Sequence, residues 1–392
     1  MMNIILADAG NHTQMKPLTW TRPVGDIRTG ILTTKERWEK LFDRECYFLT
    51  EHYLQEKFPL KTADQNLIIN AGILPDEAFV QAIKNLKHGT LVKNGEILAC
   101  VAGNEDVEKF PGIQLEKKEY PGNITMINHP WDVFTHAGNM INFDYKLLTQ
   151  NKTTASISNT NIIIGEHPVF VEPGARVEAS VLNTTNGPIY IGKDAEVMES
   201  CSVRGPFAMN EYAVLKMGAK VYGPTMLGPW VKAGGELNNV VFQSYSNKAH
   251  DGFLGNAVIG EWCNIGADTN NSNLKNNYAE VKMWDYNAER FVKTGLQFCG
   301  LVMGDHSKCG INTMFNTGTI IGVSCNLFGP GFPRNFIPSF SWGGAGGYTE
   351  YKLNKALQVA EIVMNRRGLI LSGIEKRMLE FIYKHTQHYR KY

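Results

Sequence analysis

Counting in sixes from Ile191 lands on Val197, Val203, Met209, Leu215, Val221, Leu227 and Ala233, an apolar residue at every step. Three more runs keep the same beat: Ile163, Val169, Ala175, Val181; then Phe253, Ile259, Ile265; then Met303, Cys309, Phe315, Ile321, Leu327. Only 43% of the chain is apolar, so long unbroken runs in several frames are not a chance reading. An antiparallel sandwich alternates with a period of two and would not hold such a register. A six-residue beat is the mark of a β-helix, in which each flat side of a prism takes about six residues and one side chain per side stacks inward. Glycine follows the apolar position at Ile164-Gly165, Ile191-Gly192, Ile259-Gly260, Ile265-Gly266 and Ile321-Gly322, as tight corners require.

The beat begins near residue 160, and the sequence on either side reads differently. Upstream, Asn3–Ala7, Cys46–Leu49 and Asn66–Ile69 are short apolar runs expected to be buried strands. Thr34–Phe42 reads as a helix capped by Thr33 or Thr34. Asp76–Leu86 reads as an amphipathic helix with Phe79, Ile83 and Leu86 on one stripe. Thr90–Val101 reads as a hairpin turning at Asn94-Gly95. A small α/β layer domain is expected there. Within the solenoid, Asn270–Thr294 is polar and out of register, as for a projecting loop. Past Gly347, two apolar stripes at helical spacing (Leu353, Leu357, Val359, Ala360, Val363, then Met378, Leu379, Ile382) predict helices broken near Gly373, capping the solenoid or contacting another copy. The expected domains are 1–155, 156–347 and 348–392.

Composition narrows the function. Lys+Arg number 39 and Asp+Glu 38, which argues against nucleic acid and against a polybasic membrane anchor as partners. The seven cysteines are odd in number and form no C-x-x-C pair, the usage of a reducing compartment. MMNIILADAG lacks a signal peptide's basic flank and cleavage site, and no run of 18 apolar residues exists to span a bilayer. A cytoplasmic location is expected.

A filled prism has no pocket of its own, so chemistry must sit on its flanks, most simply between neighbouring copies. The stretch SNKAHDGFLGNAVIGEWCNIGA, Ser246–Ala267, offers His, Lys, Asp and Asn amid Gly-rich backbone. It resembles the acyltransferase segment of the bifunctional N-acetylglucosamine-1-phosphate uridyltransferase / glucosamine-1-phosphate N-acetyltransferase family. That family's Ser-Lys-x-x-His, aromatic, Leu-Gly, Ile-Gly and Asn-Ile-Gly-Ala elements fall on His250, Phe253 and Asn264. NSNLKNNY stands at the family's later turn and brings in Asn273, with Lys275 and Lys282 close by. The resemblance covers about residues 160–345. It implies a left-handed β-helix, a homotrimer, acetyl-CoA or a related acyl-CoA bound between subunits, and an acceptor that is a sugar phosphate or nucleotide sugar. On this reading His250 is the general base, with Asp251 or Glu236 to orient it. Lys248, Phe253, Asn264, Asn273 and Lys275 would bind substrate, and His306 and Lys308, in GDHSKCG, would meet cofactor phosphates. Two departures stand out: Asn238 replaces the family's first sugar-binding Lys, and Phe253 replaces its Tyr.

LADAGNHTQMKPLTWTRPV, after the first strand, resembles the signature loop of the sugar-phosphate nucleotidyltransferases. Gly10, Thr13 and Pro17-Leu18-Thr19 keep the outline, but the second loop Gly, the Arg and the Lys are replaced by His12, Gln14 and Val24. The losses remove the close backbone approach and the positive charges that phosphoryl transfer relies on. Gly10, Thr13 and Arg22 are the nucleotide-binding candidates, with Arg28 a further substitute cation. Mg²⁺ is implied only if this domain is active, with Asp132 and Asp144 as its carboxylates. No other metal is expected. The favoured expectation is therefore an acyltransferase with a degenerate nucleotidyltransferase-like domain. The alternatives are a sugar-1-phosphate nucleotidyltransferase assembled by its β-helix, and a non-catalytic sugar-nucleotide sensor.

Overall fold

The structure, a computed structural model, describes residues 2–392. The N-terminal unit is a six-stranded sheet built from β1 (Met2–Ala7), β2 (Cys46–Leu49), β3 (Gln65–Asn70), β4 (Gly89–Lys93), β5 (Glu96–Gly103) and β6 (Lys117–Glu119), in the order β2-β1-β3-β5-β4-β6. Strand β1 runs parallel to both β2 and β3, while β3, β5 and β4 are antiparallel neighbours. Helix α1 (Thr34–Phe42) starts in a full capping box between Thr33 and Glu36. Helix α2 (Glu77–Asn85) is capped by Asp76 and buries Phe79 and Ile83. The β4–β5 turn places Asn94 at φ 51° and Gly95 at φ 83°, the left-handed pair that a two-residue hairpin requires.

Helix α3 (Asp132–Thr149) leads into a parallel β-solenoid of about ten turns. Its first face stacks Val169–Val171, Ile189–Ile191, Phe207–Met209 and Thr225–Leu227, and continues to Phe336–Ile337. The second face stacks Arg176–Val177, Glu196–Val197, Val214–Leu215, Lys232–Ala233, Asn247–Lys248, Asn264–Ile265, Lys308–Cys309 and Asn326–Leu327. The third carries Val181–Asn183, Ser202–Arg204 and their successors. Every residue of the Ile191–Ala233 beat is buried in one interior cluster. Each Val, Leu, Ile or Met side chain of the run contributes about 1.5–3 kcal/mol if fully buried.

Four expectations need correction. In the run from Ile163, the inward residues are Val171, Val177 and Leu182, one or two places along, while Val169, Ala175 and Val181 are half-buried. Ile163 itself is exposed, because its strand ends the stack. In the run from Phe253 the inward residue is Leu254. The segment 270–294 does not simply project. Asn270–Asn271 stays in the coil stack, and the excursion beyond it forms a hairpin, Lys282–Asp285 with Arg290–Lys293, that buries Val281 and Met283 against the N-terminal unit's cluster.

The outward row of the first face is also apolar: Phe170, Tyr190, Ala208, Met226, Val241, Val258, Val302 and Ile320 share a single cluster with α3 and the N-terminal sheet. The two units are therefore joined by a common core. Helices α4 (Leu353–Asn365) and α5 (Gly373–His385) do not cap the end of the solenoid as expected. They fold back along its wall: Arg367 donates to the Trp230 carbonyl oxygen, and Phe381 stacks on Tyr53 at 4.1 Å. The break between them comes from left-handed Gly368 and the Ser372 capping box, with Gly373 already inside α5.

Candidate functional site

His250 lies exposed at the corner between the second and third faces, between strands Asn247–Lys248 and Phe253–Ile259. Among the described residues no carboxylate bonds its imidazole, so Asp251 and Glu236 do not orient it here. Glu236 faces Lys220 instead. Lys248 is not the exposed phosphate partner expected. It occupies an inward ladder position, paired with Ala233, and is 1% exposed. Its ammonium donates to the carbonyl oxygens of His250 (2.8 Å) and Gly234 (3.2 Å). Burial lowers its pKa to about 8. Lys248 thus braces the corner that carries His250, from inside.

The other candidates fall on two sides of that corner. Asn264 is exposed on the second face, between Asn247 and Lys308 on neighbouring rungs. Phe253, half-buried, begins a third-face strand, and Asn273, beside it, donates to Asn256 Oδ1 at 2.8 Å. Lys275 donates to the Glu280 carbonyl oxygen and lines a separate cleft with Lys282 and Arg334. Within one copy, the structure therefore brings Asn264 and Lys308 together, and keeps Asn273 and Lys275 apart from them.

His306 is not a solvated cation. It sits at a left-handed corner (φ 59°), its ring 6.4 Å from that of Trp262 and nearly parallel to it. Burial holds its pKa down at about 3, so the ring is neutral and offers no charge to a phosphate. Lys308 donates to the His306 carbonyl oxygen at 2.9 Å and is itself lowered by burial. His306 belongs to a column of corner residues, Tyr212, Trp230, Tyr245, Trp262, His306 and Phe340, all with positive φ. Tyr212 stacks on Trp230 at 4.4 Å and Tyr245 on Trp262 at 4.2 Å. The sequence reading missed this column, although its signal was present: each ring stands two residues before the start of a second-face strand, or directly before it at Phe340.

The nucleotide loop has a different use from the one expected. Gly10 is exposed at φ 90° and Thr13 is half-buried, but Arg22 is buried and turned into the solenoid. It pairs with Asp305 and, at 3.2 Å, with Glu261, while Thr21 donates to the same Asp305 at 2.7 Å. Arg28 is likewise buried, pairing with Glu36 while its backbone exchanges two hydrogen bonds with the Gln243 amide. Neither cation is left for a phosphate. His12 is buried with neither ring nitrogen hydrogen-bonded among the described residues, Glu51 standing 4.0 Å from Nδ1, and burial lowers its pKa to about 3.

The carboxylates do not fit a Mg²⁺ site, which needs oxygen ligands free to coordinate. Asp144 is fully buried and grips Arg37 through both oxygens, at 2.7 and 2.9 Å. Asp132 accepts the backbone N–H groups of Asn128 and His129. Asp8 accepts from Val24 N and from Thr50, and burial raises its pKa to about 7. Among the described residues no group of three or more His, Cys, Asp or Glu side chains could hold a metal ion. Nor is any helix long and apolar enough to cross a membrane.

Residues 4–153 match the sugar nucleotidyl transferase family model. Over 265 residues the chain is 28% identical to the bifunctional protein GlmU of Methanocaldococcus jannaschii, covering 66% of this chain and 55% of that protein. A GlmU of Methanococcus maripaludis is 27% identical over 266 residues, covering 67% and 56%. These matches show what the chain is similar to: a sugar nucleotidyl transferase over its first part, and GlmU over about two thirds of its length. The chain spans about half the length of these GlmU relatives. Among solved structures, the UDP-N-acetylglucosamine acyltransferase LpxA of Bacteroides fragilis overlaps 60% of this chain and 84% of its own, at 14% identity and a TM-score of 0.27. The polysialic acid O-acetyltransferase OatWY overlaps 49% and 85%, at 9% identity and a TM-score of 0.22. At those scores the solenoid assignment rests on the chain's own strand ladder.

Proposed function

We propose that the chain is an acyltransferase that moves an acyl group from acetyl-CoA, or a related acyl-CoA, to the amine of a sugar phosphate or nucleotide sugar. The reading rests above all on His250, an imidazole held exposed at a solenoid corner within the Ser246–Ala267 motif. An ammonium has no lone pair, so the acceptor amine must be neutral to attack. When bound, the acyl-CoA supplies an activated thioester carbonyl. His250 takes the proton the amine loses as its nitrogen bonds to that carbonyl. The carbon–sulfur bond then breaks, and the departing thiolate takes a proton in turn. General-base assistance of this kind is worth about 10²–10⁴ in rate.

Lys248 fixes the backbone of His250 from the interior and acts as a positioning residue. Asn264 would hold the acceptor on the second face and Lys308 the donor. Phe253, Asn273 and Lys275 face away from these within one copy, which favours a site completed by a neighbour. The first face is covered by the N-terminal unit and part of the second by the end of α4, which leaves the third face, with Arg204 and Lys220 exposed, open to a homotrimer. Replacing His250→Ala is expected to lower kcat for thiol release by at least a hundredfold while CoA still binds. An unchanged kcat overturns the reading.

A second reading, a sugar-1-phosphate nucleotidyltransferase, is favoured by the family match over residues 4–153. The commitment of Arg22 and Arg28 to ion pairs inside the molecule counts against it.

A further inference from the structure

A cleft of about 530 Å³ runs along the second face between the solenoid wall and the end of α4. Its floor is the outward row Lys232, Asn247, Asn264 and Lys308 on four successive rungs. Lys232 and Lys308 are three rungs apart, roughly 14 Å at the usual strand spacing. Arg366 and Arg367 close it from the side of α4, and Tyr245 and Trp262 form an aromatic edge. No carboxylate lines it. The Lys232, Lys308, Arg366 and Arg367 side chains make no ion pair among the described residues, and the nearby Glu261 is committed to Arg22. The charges are unevenly placed. Arg367 donates to the Trp230 carbonyl oxygen and lies over the Trp230 ring, two residues before Lys232, so the arginines gather at the Lys232 end and Lys308 stands at the other. Between the two ends, Asn247 Oδ1 is buried with no hydrogen-bond partner. Cations at a helix C-terminus are favourable in themselves, which accounts for the two arginines but not for two unpaired lysines on the facing wall.

We infer that this cleft binds a phosphate-bearing small molecule, its anion held among Lys232, Arg366 and Arg367 and its polar body lying along Asn247 and Asn264 toward Lys308. Ala249, on the Asn247 rung next to Lys232, lines the same cleft, so the part of the ligand adjoining its phosphate would lie beside the corner that carries His250. In assigning this ligand to the catalytic wall, and only in that, the inference rests on the acyl-transfer reading. The shared chemistry is a phosphate or pyrophosphate, carried either by an acyl donor such as CoA or by a nucleotide-sugar acceptor.

Calorimetric titration of the full chain with inorganic pyrophosphate, CoA and UDP-N-acetylglucosamine tests it. At least one probe is expected to bind. Its affinity should fall tenfold or more in Lys232→Ala and in the Arg366→Ala/Arg367→Ala double variant, and stay unchanged in Lys220→Ala, a third-face control. The tighter of CoA and the nucleotide sugar identifies the source of the phosphate. These side chains lie on the surface, and a thermal melt checks that each variant is folded, with Lys232→Gln as the milder substitute. Binding that survives both cleft variants, falls equally in the control, or is absent for all three probes overturns the inference. Charge-dependent binding without any acyl transfer would instead sink the catalytic reading and leave the cleft's ligand in place.

Discussion

His306 turns the solenoid corner into a measurable acid sensitivity. Its pKa is about 3 in the folded chain, against an ordinary value of 6.5. Below pH 6.5 the unfolded chain takes up a proton that the folded chain refuses. Stability from this group is therefore complete above about pH 6.5 and drains away as the pH falls toward 3. At pH 5 the gap of one and a half units amounts to about 2 kcal/mol, since one unit is worth roughly 1.4 kcal/mol. Asp8 and Asp26 work the other way, because burial raises their pKa values to about 7 and 6 and favours folding as they are protonated. The total profile thus mixes opposing contributions, and the histidine must be isolated by difference. Urea unfolding of wild type and of His306→Gln at pH 7 and pH 5 does this. The variant is expected to be less stable at pH 7, through lost stacking on Trp262, yet to lose about 2 kcal/mol less than wild type between the two pH values. Parallel profiles for the two proteins would refute a half-buried His306 held neutral in the folded chain.

Other consequences follow from packing. Leu227→Ala removes an inward rung side chain that is fully buried and should cost about 2–5 kcal/mol in urea unfolding, whereas Arg204→Ala, outward on the third face, should cost almost nothing. Asp144→Ala leaves Arg37 charged and unpaired in the interior, and should cost about 3–5 kcal/mol by the same measurement. A side-chain carbon at Gly228 would lie 1.3 Å from the Gln243 carbonyl oxygen of the next coil, so Gly228→Ala should lower the melting temperature sharply or abolish soluble expression.

The parts legible in the sequence are those whose cause is local. The Ile191 run, the Thr33–Glu36 cap and the Asn94-Gly95 turn each depend on a few neighbouring residues, and each is where the spacing puts it. Frames shorter than about four steps misplaced the inward residue, because the beat contracts where one side of a coil takes five residues, as from Val177 to Leu182 and from Leu254 to Ile259. Site residues were misjudged wherever burial depends on distant chain. Lys248 looked like a surface cation because no local signal marks it as the ladder position beneath Ala233. Arg22 looked free because Asp305 meets it only once the N-terminal loop docks on the solenoid, and His306 because Trp262 reaches it only when successive coils stack. Arg366 and Arg367 reach the cleft from more than a hundred residues beyond Lys232, a juxtaposition no spacing rule announces.

On the proposed function the chemistry lies on the solenoid wall and the N-terminal loop holds the molecule together. One preparation assayed for both reactions decides between them: thiol release from acetyl-CoA with glucosamine-1-phosphate, and pyrophosphate release from UTP with a sugar-1-phosphate. The expected result is thiol release that His250→Ala abolishes, with no pyrophosphate formed. Pyrophosphate release that the His250 substitution leaves intact, without acyl transfer, would contradict the account.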